Sequence, residues 1–170
     1  MTNSLPSLEP DCSNCAALCC VVFAFDRSES FGIDKGAGEA CPNLMANNGC
    51  RIFDGRAELG FKGCISYTCH GAGQRVTQDV FAGRDWRNDP SLVHRMGAAL
   101  SVLRRIHEQL VLLQAAGQLP LAGGHREQLD GLIETLNPAV DWTEDTFEAF
   151  PIDRVCGEVG SFLKSLRGYV

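Results

Sequence analysis

The spacing of apolar positions changes character about halfway along the chain. From residue 91 onward Leu92, Met96, Ala99, Leu103, Ile106, Leu110 and Leu113 recur at alternating intervals of four and three, the rhythm of one face of a helix with an a/d-type seam. Asp89 or Ser91 can cap its start, Pro90 suits a first turn, and Gly117 marks its end. The pattern predicts one long helix of about 25 residues within 91–117, about 37 Å long at 1.5 Å per residue. Two shorter apolar patterns follow. One covers residues 127–136 (Leu129, Leu132, Ile133, Leu136) and is stopped by Pro138; the other covers residues 152–166 (Ile152, Val155, Val159, Phe162, Leu163, Leu166). Three such helices close a small bundle, or the long seam pairs with a second copy as a homodimer or with another helical protein.

Residues 11–90 show no comparable period. They are rich in Gly and Cys, with turn signals at Asp34-Lys35-Gly36-Ala37-Gly38, Asn47-Asn48-Gly49 and Gly71-Ala72-Gly73. Two short stretches fit helices: residues 15–23, and residues 52–59 with Ile52, Phe53 and Leu59 on one side. The expected fold is mainly α, with a metal-stapled, irregular Cys/Gly-rich N-terminal half (residues 1–90) packed on a small helical bundle (residues 91–170).

Composition narrows the function classes. The 170 residues carry 15 basic and 21 acidic side chains, a formal net charge of −6, which speaks against a nucleic-acid binder whose affinity rests on basic groups displacing counterions. Charge does not mark the division, because each half carries a net −3: 8 basic and 11 acidic residues up to position 90, then 7 and 10. Apolar runs end well short of the roughly 18 residues a membrane span needs.

Nine cysteines change the picture most. Cys12, Cys15, Cys19, Cys20, Cys41, Cys50, Cys64 and Cys69 crowd one stretch, and Cys156 stands apart near the apolar stripe of the last helix, where it reads as a small buried hydrophobe. The opening residues, Met1 to Pro6, lack the basic and apolar regions of a secretory signal, so the expected compartment is the reducing cytoplasm, where disulfides are the poorer reading. An odd total and the vicinal pair Cys19-Cys20 also fit metal ligation better than separate bridges.

The order is C-x2-C-x3-C-C, then Cys41-Pro42-Asn43-Leu44, Cys50-Arg51-Ile52-Phe53 and a C-x4-C from Cys64 to Cys69. A CxxC turn brings two thiolates to one ion with backbone amides pointing at the sulfurs. Eight thiolates make two four-thiolate sites, or one four-iron cluster with four thiols left for a second metal; spacing does not pair them.

This order resembles the YkgJ-like CxxCxxCC family of zinc- or iron-chelating domains with eight cysteines, departing by one extra residue before the vicinal pair. Over residues 11–90, Leu18-Cys19-Cys20, Asp34-Lys35-Gly36-Ala37-Gly38, Gly60-Phe61-Lys62-Gly63-Cys64, Cys69-His70-Gly71-Ala72-Gly73-Gln74 and Gly83-Arg84-Asp85-Trp86-Arg87 are similar to the cysteine-rich module that precedes the repeats of actinobacterial pentapeptide-repeat proteins. The repeats themselves do not occur here. The resemblance implies a metal site and is silent on substrate.

Zinc would act as a redox-inert staple, an iron–sulfur cluster would suit electron transfer, and copper(I) is a third soft-ligand choice. The expected function is a metal-binding cysteine cluster holding zinc or an iron–sulfur cluster through the eight thiolates. The alternatives are a metal-dependent enzyme with an open coordination position, assisted by Asp26, Asp34 or His70, and a redox-sensing interaction module. For Asp26, Asp34 and Lys35 a salt bridge is the plainer expectation. His70 reads as a ninth ligand or a surface residue. His94 and His107 lie 13 positions apart on the long helix, the wrong spacing for a metal pair. Gly71-Ala72-Gly73-Gln74 lacks the Lys and Ser/Thr of a phosphate loop, and its small residues instead admit backbone near the sulfurs.

Overall fold

The computed structural model describes residues 5–169. Among these the chain forms α1 (Leu18–Val22), α2 (Lys62–Ser66), α3 (Ala72–Arg75), α4 (Leu92–Ala116), α5 (Gly123–Leu136), α6 (Glu144–Ala149) and α7 (Ile152–Ser165). Single 3-10 turns occur at Cys12–Asn14 and Leu166–Tyr169, and a π turn at Val76–Val80 follows α3 directly. No strand is present among the described residues; two isolated antiparallel bridges, Phe25 with Lys35 and Leu44 with Cys50, are the only sheet-like pairings there. The protein is mainly α.

The long helix organises the rest because its apolar seam is satisfied from several directions. Leu92, Met96, Ala99, Leu103, Ile106, Leu110 and Leu113 are all buried, and α4 packs against α1, α3, α5, α6 and α7. Each buried leucine contributes about 1.5–3 kcal/mol over its exposed state. α5 and α7 also touch each other, so α4, α5 and α7 close the expected three-helix arrangement. The seam is thereby taken by its own chain, and the homodimer that an open seam would support has no such seam to use among the described residues. The core runs without a break across residue 90, joining Cys15, Leu18, Ala72, Val76 and Phe81 to the apolar face of α4.

At the start of α4 the Asp89 carboxylate accepts from the Ser91 amide at 3.1 Å and the Ser91 hydroxyl at 2.6 Å, whereas the Ser91 side chain makes no cap bond of its own. α5 begins at Gly123, four residues before the expected start, and α7 closes in a 3-10 turn from Leu166. The sequence pattern did not signal α6, which is held by a reciprocal Thr143/Thr146 capping box. Phe147 of α6 stacks on Trp142, ring centres 5.0 Å apart.

Two expected helices change. Residues 52–59 form successive turns, with Phe53 52% and Leu59 55% exposed. No packed face rewards a helix there, and a short helix without one is marginal in water. The helix expected over residues 15–23 is confined to Leu18–Val22, because Ala17 takes the left-handed conformation at φ 53° and breaks the run. Cys156 is only half-buried, with its sulfur 3.8 Å from Nη2 of Arg105, so it is not the core hydrophobe expected of its stripe. Residues 1–4, on which part of the signal-peptide reading rests, lie outside the described residues.

Candidate metal centre

The segment carrying Cys12, Cys15, Cys19 and Cys20 is short and is held in place by distant residues. Asp11 caps the 3-10 turn at Cys12–Asn14 by accepting from the Ser13 amide at 3.0 Å. The Ala16 amide donates to Thr77 Oγ1 at 3.0 Å, and the Ala16 carbonyl accepts from Trp86 Nε1 at 2.7 Å. Gln74 takes the other side, accepting from the Asp11 amide at 3.1 Å and donating to the Glu9 carbonyl at 2.8 Å. Bonds of this kind fix a backbone that has little regular structure of its own.

Gly73 explains the small-residue run after Cys69. A Cβ on Gly73 would stand 2.8 Å from the Cys15 sulfur and 3.8 Å from the Cys69 sulfur, so only glycine lets α3 lie against both. Gly71, at φ 79°, would likewise meet the Ser7 carbonyl at 2.3 Å. Burial pushes the Cys15 thiol up, against hydrogen bonds to its sulfur from the Leu18 and Ala17 amides. These amides lie after the CxxC turn, whereas the Ser13 and Asn14 amides within it go to Asp11. Burial also raises Cys12, with Cys69 and then Cys20 adding like-charge repulsion.

Cys41 and Cys50 are brought together by a small hairpin. The Cys41 amide donates to the Cys20 carbonyl at 2.9 Å, the Leu44 amide to the Cys41 carbonyl at 2.9 Å, and Leu44 bridges Cys50. Asn48 turns the loop at φ 66°. Burial raises Cys41 against a hydrogen bond from the Asn43 amide, with Cys20 and Cys50 as charged neighbours. Cys64 is raised by burial and then by Cys20, Cys41 and Cys50, while its carbonyl accepts from Arg56 Nη1 at 3.2 Å. The two groupings meet at the vicinal pair, where the Cys19 thiol donates to the Cys20 sulfur; this raises Cys19 and lowers Cys20. The eight sequence-selected cysteines thus neighbour one another in smaller sets. They stand beside one another without closing a ligand shell, since among the described residues no group of three or more His, Cys, Asp or Glu is arranged to hold a metal ion.

Two buried donors test whether thiolate-bound metal suits this region. The Tyr67 hydroxyl is buried and has no hydrogen-bond partner; burial raises it first, followed by the charges of Cys19 and Cys69 beside it. Lys35 is 6% exposed. Its ammonium donates to the carbonyls of Glu39 at 2.8 Å, Gly36 at 3.0 Å and Val21 at 3.3 Å, and meets no carboxylate within ion-pair distance among the described residues. Burial lowers it, and Cys41, Cys20 and Glu39 oppose that shift. A buried cation and a buried unpaired hydroxyl are both costly unless they face anions or acceptors. Lys35 already has three carbonyl acceptors, and metal-bound thiolates at Cys41 and Cys20 would add the negative charge that a buried cation favours.

Other selected residues resolve differently. The salt bridge expected around Asp26, Asp34 and Lys35 is replaced by the carbonyl cage of Lys35. Asp34 is exposed and accepts from the Arg27 amide at 2.6 Å, and Asp26 is also exposed. His70, at φ 49°, offers its backbone carbonyl to Nδ1 of His107. His107 is fully buried and accepts at Nε2 from Arg75 Nη1 at 3.1 Å; with Arg75 necessarily the donor, Nδ1 carries the proton. Sequence spacing did not reveal His107 as the peg between α4 and the Cys69-His70 turn. Tyr67 and Trp86 also had no motif to mark them.

No family model matches the chain, and no solved structure matches it. The likeness to YkgJ-like domains therefore rests on cysteine order and spacing. Over 156 residues, 92% of this chain and 56% of the other, the sequence is 33% identical to a protein of Bacillus subtilis (strain 168) that bears the name uncharacterized protein YybG. The chain thus spans about half the length of the curated relative it matches.

Proposed function

We propose that this chain is a metal-binding cysteine-cluster protein that holds zinc or an iron–sulfur cluster through Cys12, Cys15, Cys19, Cys20, Cys41, Cys50, Cys64 and Cys69. The observation that carries the reading is Gly73, where an added Cβ would stand 2.8 Å from the Cys15 sulfur and 3.8 Å from the Cys69 sulfur, so that the two thiols flank one glycine. A thiolate that ligates metal stays ionised at neutral pH. The amide bonds to the sulfurs of Cys15 and Cys41 support the same chemistry, as does the resemblance to YkgJ-like domains. Bound metal would supply folding energy on the order of 10 kcal/mol to a half that is irregular and rich in glycine. A reducing compartment such as the cytoplasm keeps the thiols available for it.

Anaerobic purification followed by an absorption spectrum tests this. A band near roughly 400 nm that bleaches in air identifies iron–sulfur, and a colourless protein that gives up zinc to a chelator identifies zinc. A folded protein that yields neither metal overturns the proposal.

A further inference from the structure

We infer that the exposed apolar face formed by Phe53, Leu59 and Ile65 around Arg56 pairs with the same face of a second copy of this chain across a two-fold axis. The inference goes beyond the metal-binding reading and stands without it.

Phe53, Leu59 and Ile65 are each more than half exposed, and they are three of the six large apolar side chains left open to solvent among the described residues. Arg56 draws them together. Its guanidinium lies over the Phe53 ring, 3.8 Å from the ring centre. Its Nε donates to the Phe53 carbonyl at 2.7 Å, and its Nη1 donates at 3.2 Å to the carbonyl of Cys64, the residue before Ile65. Leu59 closes the other edge: its amide donates to the Gly55 carbonyl at 3.0 Å, and its Cδ1 stands 3.5 Å from where a Cβ on Gly55 would lie. The Phe53 amide donates to the Cys50 carbonyl at 3.2 Å, so the face is fixed to the backbone of two of the eight cysteines. Apolar side chains gathered by ordered turns and left in water mark an interaction surface, which singly scattered ones do not.

The charges around the face select its occupant. Arg51 and Lys62 are exposed cations and Asp54 and Glu58 exposed anions. Among the described residues none of the four meets an opposite charge within ion-pair distance. A nucleic acid, or a partner rim of one sign, would leave two of the four against like charge. A two-fold axis sets a surface against itself, so a rim of two cations and two anions meets its own complement. The apolar seam of α4 is filled by its own chain, which leaves this face as the apolar surface through which copies can meet. A patch drawn from some fifteen residues is smaller than a standard interface, so the dimer is expected to be weak, with a dissociation constant on the order of 10 µM.

Sedimentation equilibrium of the full chain under reducing conditions, from about 1 µM to about 500 µM, tests the pairing. The wild type is expected to pass from monomer to dimer over this range. Phe53→Ser should weaken the dimer at least about tenfold, as loss of a central aromatic does, and Ile65→Ser serves in its place should that variant fail to fold. Two charge variants address the occupant: Asp54→Lys with Glu58→Lys, and Arg51→Glu with Lys62→Glu. Each alone should stay monomeric, because like charges then face one another, and an equimolar mixture of the two should dimerise again. These four side chains are exposed, so their exchange leaves the core intact. A wild type that stays monomeric throughout, a dimer that neither Phe53→Ser nor Ile65→Ser weakens, or a mixture no more dimeric than its separate components overturns the inference. None of these results bears on the metal reading, which the metal content of the same samples decides.

Discussion

Arg75 of α3 donates to His107 of α4 at 3.1 Å, and the opposite ring nitrogen of His107 binds the carbonyl of His70, the residue after Cys69. This buried chain of bonds ties the last cysteine of the cluster to the central helix. Burial holds His107 down to about 4, with the Arg75 guanidinium adding to the effect and the His70 carbonyl opposing it.

A pH dependence follows. Unfolded, His107 takes up a proton near pH 6.5, and folded only near 4, so acidification through this window favours the unfolded chain. Its contribution is constant above about pH 6.5 and falls by about 3 kcal/mol by pH 4. His107→Gln keeps a donor and an acceptor but does not titrate. Urea denaturation across this window is expected to show a shallower acid loss in the variant than in the wild type, and parallel curves would remove His107 as the cause.

Gly73→Ala forces a methyl group to within 2.8 Å of the Cys15 sulfur. Overpacking of this kind costs about 1–3 kcal/mol. The expected outcome is a lower denaturation midpoint together with weaker retention of metal against a chelator. Unchanged values for both would show that α3 does not rest on the sulfurs.

Tyr67→Phe removes a buried hydroxyl that has no hydrogen-bond partner, so it is expected to be neutral or to stabilise by about 1 kcal/mol. Chemical denaturation checks this, and a loss of stability would show that the hydroxyl has a partner.

Leu103 and Leu110 are fully buried on α4. Truncation of either to Ala is expected to cost about 2–5 kcal/mol, measured by chemical denaturation. A loss below 1 kcal/mol would mean the seam is not the structural centre.

The helical half was legible because one variable, the position of leucines around a helix, decides both burial and partner. Leu92 to Leu113 spell out α4 to within three residues of its ends, and α7 begins where Ile152 says it should. α6 was hidden because its six residues offer too little period, and a Thr143/Thr146 cap defines it instead. In the cysteine-rich half spacing singled out eight cysteines, but not how the chain that carries them is held. That depends on tertiary bonds such as Trp86 to Ala16 and Thr77 to Ala16, which join residues some 60–70 positions apart. Residues 52–59 misled for a related reason, since Phe53 and Leu59 have apolar side chains but no surface to bury them against.

The most direct measurement is elemental analysis of the protein purified without oxygen, with free thiols counted on the same sample. Sulfur-bound zinc or iron, with the eight cysteines protected from alkylation until the metal is removed, is the predicted result. A folded protein free of metal, whose cysteines react at once or are joined in disulfides, would contradict the account.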